Sequence, residues 1–590
     1  MAVRDRATWT GTPVERPARL HAQQLSALPA VVRRFLGGLR LSPRAYLAGL
    51  LRRRRPGAEE IADLRALRGY FGAARPAAAP AQPPGHLILT SYQAQPYALK
   101  IEGLLARALT QQGYRVTVLA SDAAAPLAEI YHRAVHGFPV VTLADFVSFD
   151  GERSIARTAG RFLELARSDV AAFKRTAYRD VPVGLHALAT LASMEPDGRL
   201  ALGSDRLVRL RRLLRKSMLL VDAADRMIDA LSPTLMLGVE KGFVTTCETY
   251  YSALRRGVDY VQWVGCHEPE SIMLKRYAPH NVRDHPFSVS EATWRKARDL
   301  RWDDRIREEV MGEFARGYEQ GTWFQYKRLT AARTSAGAAE LGRRLGLDPS
   351  KRTAVIYSHI LNDANLFYGE DLFPEGYERW LVETVRAAAA NARVNWVLKL
   401  HPANLFRNAA LGYSGEYGEV IALRRAFGDV PAFLKLVLPD DPALPSSFFA
   451  ITDWGITVRG TVGLELPCFG TPVLTAGTGR YSHKGFTVDS ASPEEYLERV
   501  RGIDRIPRLD EDGQRQALRH AYLVFRLRPA KYDALAKDVY NRGGDRTRGR
   551  DIELLHPTFE AASTHRQLRR IVDFLTARDR DDFLAPLGFE

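Results

Sequence analysis

Cysteine is nearly missing from this chain. Cys247, Cys266 and Cys468 are the only three in 590 residues, too few and too scattered for a disulfide framework or a zinc site. They read as small buried side chains in a reducing compartment. No apolar run reaches the roughly eighteen residues of a membrane-spanning helix, and MAVRDRATWTGTPVERPARL has no apolar core of signal-peptide length. A cytoplasmic protein is expected. The turn TSYQAQ at 90–95 is not a GxGxxG, so no dinucleotide site is indicated, and no short-period repeat is visible.

What is abundant is positive charge, and it is unevenly placed. The formal net charge is +16, and residues 1–80 hold fifteen Arg or Lys against five Asp or Glu, a net +10 from about a seventh of the chain. In this arm Val32, Phe35, Leu36 and Leu39 recur at helical spacing beside Arg33, Arg34 and Arg40, while Tyr46, Leu47, Leu50 and Leu51 lead into Arg52 to Arg55. Two readings stand: basic amphipathic helices lying on an anionic membrane face, with the protein peripheral at the inner membrane, or a helical hairpin docked on the body with solvated arginines. Nucleic acid is not an expected partner, because no aromatics that would stack bases are interleaved with the arginines.

A length of 590 residues with 46% hydrophobic side chains supplies two sizeable cores. Four segments are expected: a basic helical arm and linker over 1–84, a doubly wound domain with a helical insertion over 85–345, a second doubly wound domain over 346–510, and a helical segment over 511–590. HLILT, YALKIEGLLARALTQQG and RVTVLAS read as a β-α-β unit with a right-handed crossover. Residues 145–230 look helical and charged. LMLGVE and DYVQWVG then predict further parallel strands, whose carboxyl ends bring Glu240 and the Cys266, His267, Glu268 cluster toward an interdomain cleft.

The second domain carries the densest signal. TAVIYSHI predicts its first strand, with Ser358, His359, Asn362 and Asn365 in a polar loop and Phe367 and Tyr368 either stacking on a sugar or anchoring that loop. VNWVLKL is a buried-strand pattern that delivers Lys399, His401 and Pro402 to the sheet edge. FFAIT reads as another strand, and Thr457, Arg459, Gly460, Thr461 and Gly463 follow in a hydroxyl-rich turn before the helix-like GLELPCFG, whose N-terminus would attract an anion. Glu465 sits inside that helix, ahead of the Gly-Thr-Pro-Val break at 470–473.

The His-Pro pair at 401–402, Pro-Asp-Asp at 439–441, Thr-Val-Gly-Leu-Glu at 461–465, the Gly-Thr-Pro-Val break and Gly479, Tyr481 and Gly485 occur in one order. In these motifs the chain resembles the capsule polysaccharide biosynthesis proteins, GT-B-fold glycosyltransferases that include the β-Kdo transferases. The resemblance is strongest over residues 350–500. It implies a GT-B-like α/β fold of two Rossmann-like domains facing a cleft, and an inverting transfer of a sugar from a nucleotide-sugar donor to a polysaccharide or lipid-linked acceptor. The His-Pro pair also looks like the motif with which bacterial sialyltransferases hold the phosphate of a CMP-sugar, which gives His401 that role and raises a CMP-activated donor. Thr457 and Thr461 stand near where those enzymes place two Ser or Thr, and Arg459 departs from the pattern. Glu465 is suggested as a ribose-hydroxyl acceptor, and Glu240, in Glu-Lys-Gly, faintly resembles the acidic motif that supplies their base.

An attacking hydroxyl must lose a proton, so Glu240 is the first candidate for general base, with His267 and Glu268 behind it. Each also has a structural reading: a dipole-stabilised carboxylate for Glu240, a backbone-bonded loop residue for His267. Developing charge on the leaving nucleotide calls for cations, and Lys399, His401 and Arg459 are the candidates without metal. His401 can equally cap the strand end, and Arg459 can be an ion-pair member. Asp510/Asp512, Asp579/Asp581 and Asp440/Asp441 are poor metal ligands by their setting, so no obligatory metal and no cofactor is expected. The remaining alternatives are a CDP-glycerol-type glycerophosphotransferase, a nucleotide-sugar 2-epimerase and a non-catalytic glycan-binding or assembly subunit.

Overall fold

The computed structural model describes residues 29–41, 43, 57–72, 84–148, 150–195, 202–299, 301–320, 323, 333–363, 366–410, 412–540 and 550–586. Two helices of the basic arm, α1 (Ala30–Leu41) and α2 (Ala58–Phe71), fall within it. The Tyr46 to Arg55 stretch and most of the linker lie outside the described residues.

The first sheet starts with β1 (His86–Ser91), buried at every position as a parallel strand covered on both faces must be. Leu87 and Leu89 enter one apolar cluster and Ile88 the opposite one, the two-residue period of a strand. Helix α3 (Pro96–Gln111), opened by a proline in its first turn, crosses over to β2 (Arg115–Ala120), and β3 (Val140–Val141) follows. The expected helical insertion contains α4 (Glu152–Ser168) and the long α5 (Ser204–Leu231). Strand β4 (Leu235–Gly238), helix α6 (Cys247–Arg255) and β5 (Asp259–Gly265) complete a parallel order β3-β2-β1-β4-β5. Strand β6 (Ser271–Tyr277) then turns straight back, antiparallel to β5. Helix α7 (Asp304–Tyr318) ends this half of the chain.

The second sheet is wholly parallel, with β7 (Thr353–Tyr357), β8 (Asn395–Lys399), β9 (Leu434–Val437), β10 (Trp454–Thr457) and β11 (Val473–Thr475) in the order β11-β10-β7-β8-β9. Helix α8 (Tyr377–Ala388) links β7 to β8, and α9 (Gly418–Phe427) precedes β9. FFAIT, expected as a strand, is instead mostly a 3-10 helix, Pro445–Ile451, and the strand begins three residues later at Trp454. A short apolar run cannot by itself distinguish the two, and the proline at 445 favours the first turn of a helix.

Both sheets reverse their strand order beside their first strand, between β1 and β4 and between β7 and β10. Such a switch point leaves a crevice at the carboxyl ends of the strands.

Residues 511–590, expected to be helical, also supply strands. Helix α10 (Glu511–Tyr522) is followed by β12 (Pro529–Lys531), which pairs antiparallel with β6 and so extends the first sheet, and by the hairpin of β13 (Ala536–Tyr540) and β14 (Arg550–Leu554). A three-residue strand carries no readable alternation. Helix α11 (Arg566–Ala577) packs beside α3, and the Arg276 guanidinium donates to the Phe574, Leu575 and Arg580 carbonyls at 2.9, 3.1 and 2.9 Å, tying the end of the chain to β6.

Candidate functional site

A cavity of about 380 Å³ opens at the switch point of the second sheet. Ser358 and His359 reach it from the end of β7, Lys399 and His401 from β8, and Thr457, Arg459 and Thr461 from β10. Seven of the expected donor residues are therefore brought together. Glu465 is not among the lining: fully buried, it accepts a hydrogen bond from the Tyr318 hydroxyl, and Tyr318 forms the wall. Burial raises the pKa of that carboxyl, with Tyr318 opposing the shift.

The three expected cations differ in kind. Lys399 is buried, its ammonium 5.1 Å from the centre of the Phe448 ring, and it makes no ion pair among the described residues. Burial lowers its pKa to about 8; neighbouring Arg333 adds to the shift and Asp441 opposes it. His401 is neutral: burial, then Lys399, lowers it to about 4. Its Nδ1 accepts the Ala403 N–H at 3.1 Å, so the ring proton sits on Nε2 and the imidazole is a neutral donor. The strand-capping bond and an open donor thus coexist on one ring.

Arg459 is an ion-pair member. The residue is 4% exposed, and its guanidinium bonds the Asp371 carboxylate and the Tyr368 carbonyl. Burial works against its charge, and Asp371 holds the pKa up nonetheless. Its charge braces the loop after β7, and is therefore already matched.

The expected helix N-terminus is a single turn, Val462–Glu465, running into a 3-10 turn, Leu466–Phe469. Backbone N–H groups there are largely engaged. Arg459 N–H donates to His359 Nε2 at 3.1 Å, Gly460 N–H to Thr457 Oγ1 at 3.2 Å and Gly463 N–H to the Gly460 carbonyl at 3.0 Å. His359 in turn stacks on Tyr377, ring centres 4.7 Å apart, and burial with Arg459 nearby puts its pKa well below the ordinary value. Ser358 Oγ donates to Glu419 at 3.0 Å, and the same carboxylate oxygen accepts from Asn404 at 2.8 Å.

On the first-domain side, Glu240 follows β4 at the other switch point. Its Oε1 accepts the N–H groups of Lys241 and Gly242 at 2.6 and 2.9 Å, and burial raises its pKa against those two bonds. Lys241 itself is 2% exposed, its ammonium 3.7 Å from the Tyr277 ring centre and 5.2 Å from that of Tyr368, a cavity-lining residue. Glu240 is held close behind that wall.

His267 and Glu268 do not face the cavity. Because β5 turns directly into β6, the hairpin tip is tucked into a cluster where His267 meets Trp323 and Phe525 at 5.3 and 5.0 Å between ring centres, and its Nε2 contacts the Phe525 carbonyl at 3.1 Å. Burial lowers its pKa to about 4. Glu268 pairs with Lys531 at 2.6 Å.

Sequence reasoning missed Arg480. It lines the cavity, partly exposed, and makes no ion pair among the described residues; burial lowers its pKa, with Tyr481 and Glu465 opposing. The signal was adjacent: Gly479 and Tyr481 both belong to the motif order. Gly479 has φ +92°, and a β-carbon there would meet the backbone of Gly369, so the close approach of two loops fixes where Arg480 leaves the chain. The aromatic wall was also unread, because Phe287 comes from the segment after β6, and Tyr318 and Trp323 from the end of α7 and beyond it.

Two sheets of the same strand order across one cleft make the fold GT-B-like. No protein-family model and no curated protein sequence matches the chain. Among solved structures it is similar to the KpsC β-Kdo 2,4 transferase of Thermosulfurimonas dismutans, at 12% identity and TM-score 0.33 over 56% of this chain and 87% of that one. It is also similar to the UDP-GlcNAc 2-epimerase of Neisseria meningitidis, bound to UDP-GlcNAc, at 11% identity and TM-score 0.25 over 74% and 95%. Acinetobacter baumannii MurG matches at 11% identity and TM-score 0.27 over 74% and 95%. Among the described residues, no group of three His, Cys, Asp or Glu side chains is placed to hold a metal ion, and no helix is long and apolar enough to cross a membrane.

Proposed function

We propose that the chain is a glycosyltransferase that takes a sugar from a nucleotide-sugar donor, CMP-activated in the manner the His-Pro pair suggests, and passes it to a surface polysaccharide or lipid-linked glycan. One observation carries this reading: Lys399 and Arg480, two cations without ion-pair partners among the described residues, line a single aromatic-walled cavity at the carboxyl ends of a parallel sheet. A buried charge is normally paired, and an unpaired Lys399 beside the partly exposed Arg480 suits an anion such as a nucleotide phosphate. His401 Nε2–H adds a neutral donor, and the tyrosines and Trp323 offer faces to a base or sugar ring. No metal is required by this arrangement, since the fixed cations take up the charge that develops on the leaving phosphate.

Glu240 is the base in this proposal. A carboxyl with a raised pKa, positioned by two backbone donors on the acceptor side, is suited to take the hydroxyl proton. The test is a calorimetric panel of CMP, CDP, UDP and GDP against the wild type and Lys399→Met. Binding of one nucleotide, weakened in the variant, supports the donor site. No binding by any of them overturns it and leaves a glycan-binding or assembly role. A nucleotide sugar that is interconverted without acceptor would move the protein to the 2-epimerases.

A further inference from the structure

We infer that the outer helices of the first domain form a docking surface for an anionic lipid bilayer, built by the insertion as well as by the arm. Along α4, Arg153, Arg157 and Arg161 stand four residues apart on one face, all exposed; on α5, Arg211 and Arg212 are exposed as well. None of the five makes an ion pair among the described residues. The acidic side chains of α4 are already matched, Glu152 with Arg215 and Glu164 with Arg167, which leaves the face strongly positive despite Asp205 in the first turn of α5.

The helices form one surface. Arg226 of α5 donates to the Phe146 carbonyl at 2.6 Å, while Arg215, eleven residues earlier, pairs with Glu152, six residues later than Phe146, so α4 runs back along α5. Helix α1 joins them: Arg34 pairs with Asp145 at 2.8 Å, and Gly37 sits against Ala144 so closely that a β-carbon would overlap its carbonyl. The arm is thereby fixed to the insertion.

Apolar side chains are exposed on the same three helices: Val31 at 79% on α1, Val208 at 51% on α5 and Leu165 at 39% on α4. Exposed arginines and exposed aliphatic side chains on the same packed helices match the headgroup and acyl boundary of an anionic membrane, which takes both. A nucleic acid would use the arginines and leave the aliphatic side chains in water, and Phe35, 40% exposed on α1, is a single ring where a stacking platform needs several. The surface stands whether or not the cavity takes a nucleotide.

The experiment is co-sedimentation of the full chain with phosphatidylcholine vesicles, with and without phosphatidylglycerol, over a salt series. Binding to the anionic vesicles alone, falling as salt rises, is expected. The variant R153Q/R157Q/R161Q, with unchanged circular dichroism and melting temperature, should bind about a hundredfold more weakly, since each basic group near such a surface contributes roughly a fivefold factor. Val31→Ser with Val208→Ser should weaken binding while keeping its salt dependence. Wild-type protein that ignores anionic vesicles, triple-variant protein that binds them as well as the wild type, or binding to RNA or duplex DNA without binding to vesicles, overturns the proposal.

Discussion

Gly242 and Phe367 meet across the domain boundary with no space for a β-carbon: a methyl group on Gly242 would overlap the Phe367 ring. Phe367 leaves the loop after β7, in the second domain, yet it is 2% exposed within the apolar cluster of the first, edge to face with Phe243 at 5.2 Å. The loop that carries Tyr368 and Asp371 is therefore pinned at one end by an aromatic plug and at the other by Arg459. Gly242→Ala should cost about 1–3 kcal/mol by overpacking, and Phe367→Ala about 3–5 kcal/mol by leaving a cavity. Urea unfolding measures both, and two unchanged midpoints would show that the plug does not hold.

Arg459 and Arg480 should separate in their effects. Removing Arg459 leaves Asp371 buried without its partner, so Arg459→Met should lower stability by about 3–5 kcal/mol. Arg480→Met should leave the melting temperature within a few degrees while weakening nucleotide binding by roughly tenfold to a hundredfold, the loss of one charge-assisted contact. Equal melting temperatures for the two variants would contradict this division.

Lys399 sets a pH dependence of definite sign. Its folded pKa of about 8 lies below the unfolded lysine value, so between the two the unfolded chain holds more protons, and stability from this group rises with pH across that range. Attraction for phosphate moves the other way, because the charge is lost as pH passes 8. Nucleotide affinity should accordingly fall above about pH 8 in the wild type and be flat there in Lys399→Met. Calorimetry in a pH series reads this directly, and parallel profiles would rule Lys399 out of the contact.

Glu240→Gln keeps a group able to accept the Lys241 and Gly242 N–H bonds but cannot take a proton. Nucleotide binding should survive, and the transfer rate should fall by about 10²–10⁴ if the carboxylate is the base. A rate near that of the wild type would return Glu240 to a purely structural role.

Much of the second domain was legible because its signals are local. Buried parallel strands announce themselves as apolar runs, and VNWVLKL carries Lys399 and leads into His401, both of which the sheet delivers to its switch point. Partnership is what the sequence withholds. Arg459 looks like any loop cation until Asp371, eighty-eight residues away, is seen to match it, and Glu465 looks like a ligand until Tyr318 is seen to shield it. For His267 the reason is topological: a parallel β5 would carry it toward the cleft, but the immediate antiparallel return into β6 folds the strand tip into the Trp323 and Phe525 cluster instead.

Strand β12 imposes an order on maturation. The sheet founded by His86–Ser91 keeps an open edge at β6 until Pro529–Lys531, near the end of the chain, arrives to cover it. On the ribosome the second domain can close before the first is sealed, and an uncovered β6 is a template for pairing with another chain in the interval. A protein shortened before residue 529 would carry that edge permanently, and its loss would be felt as aggregation.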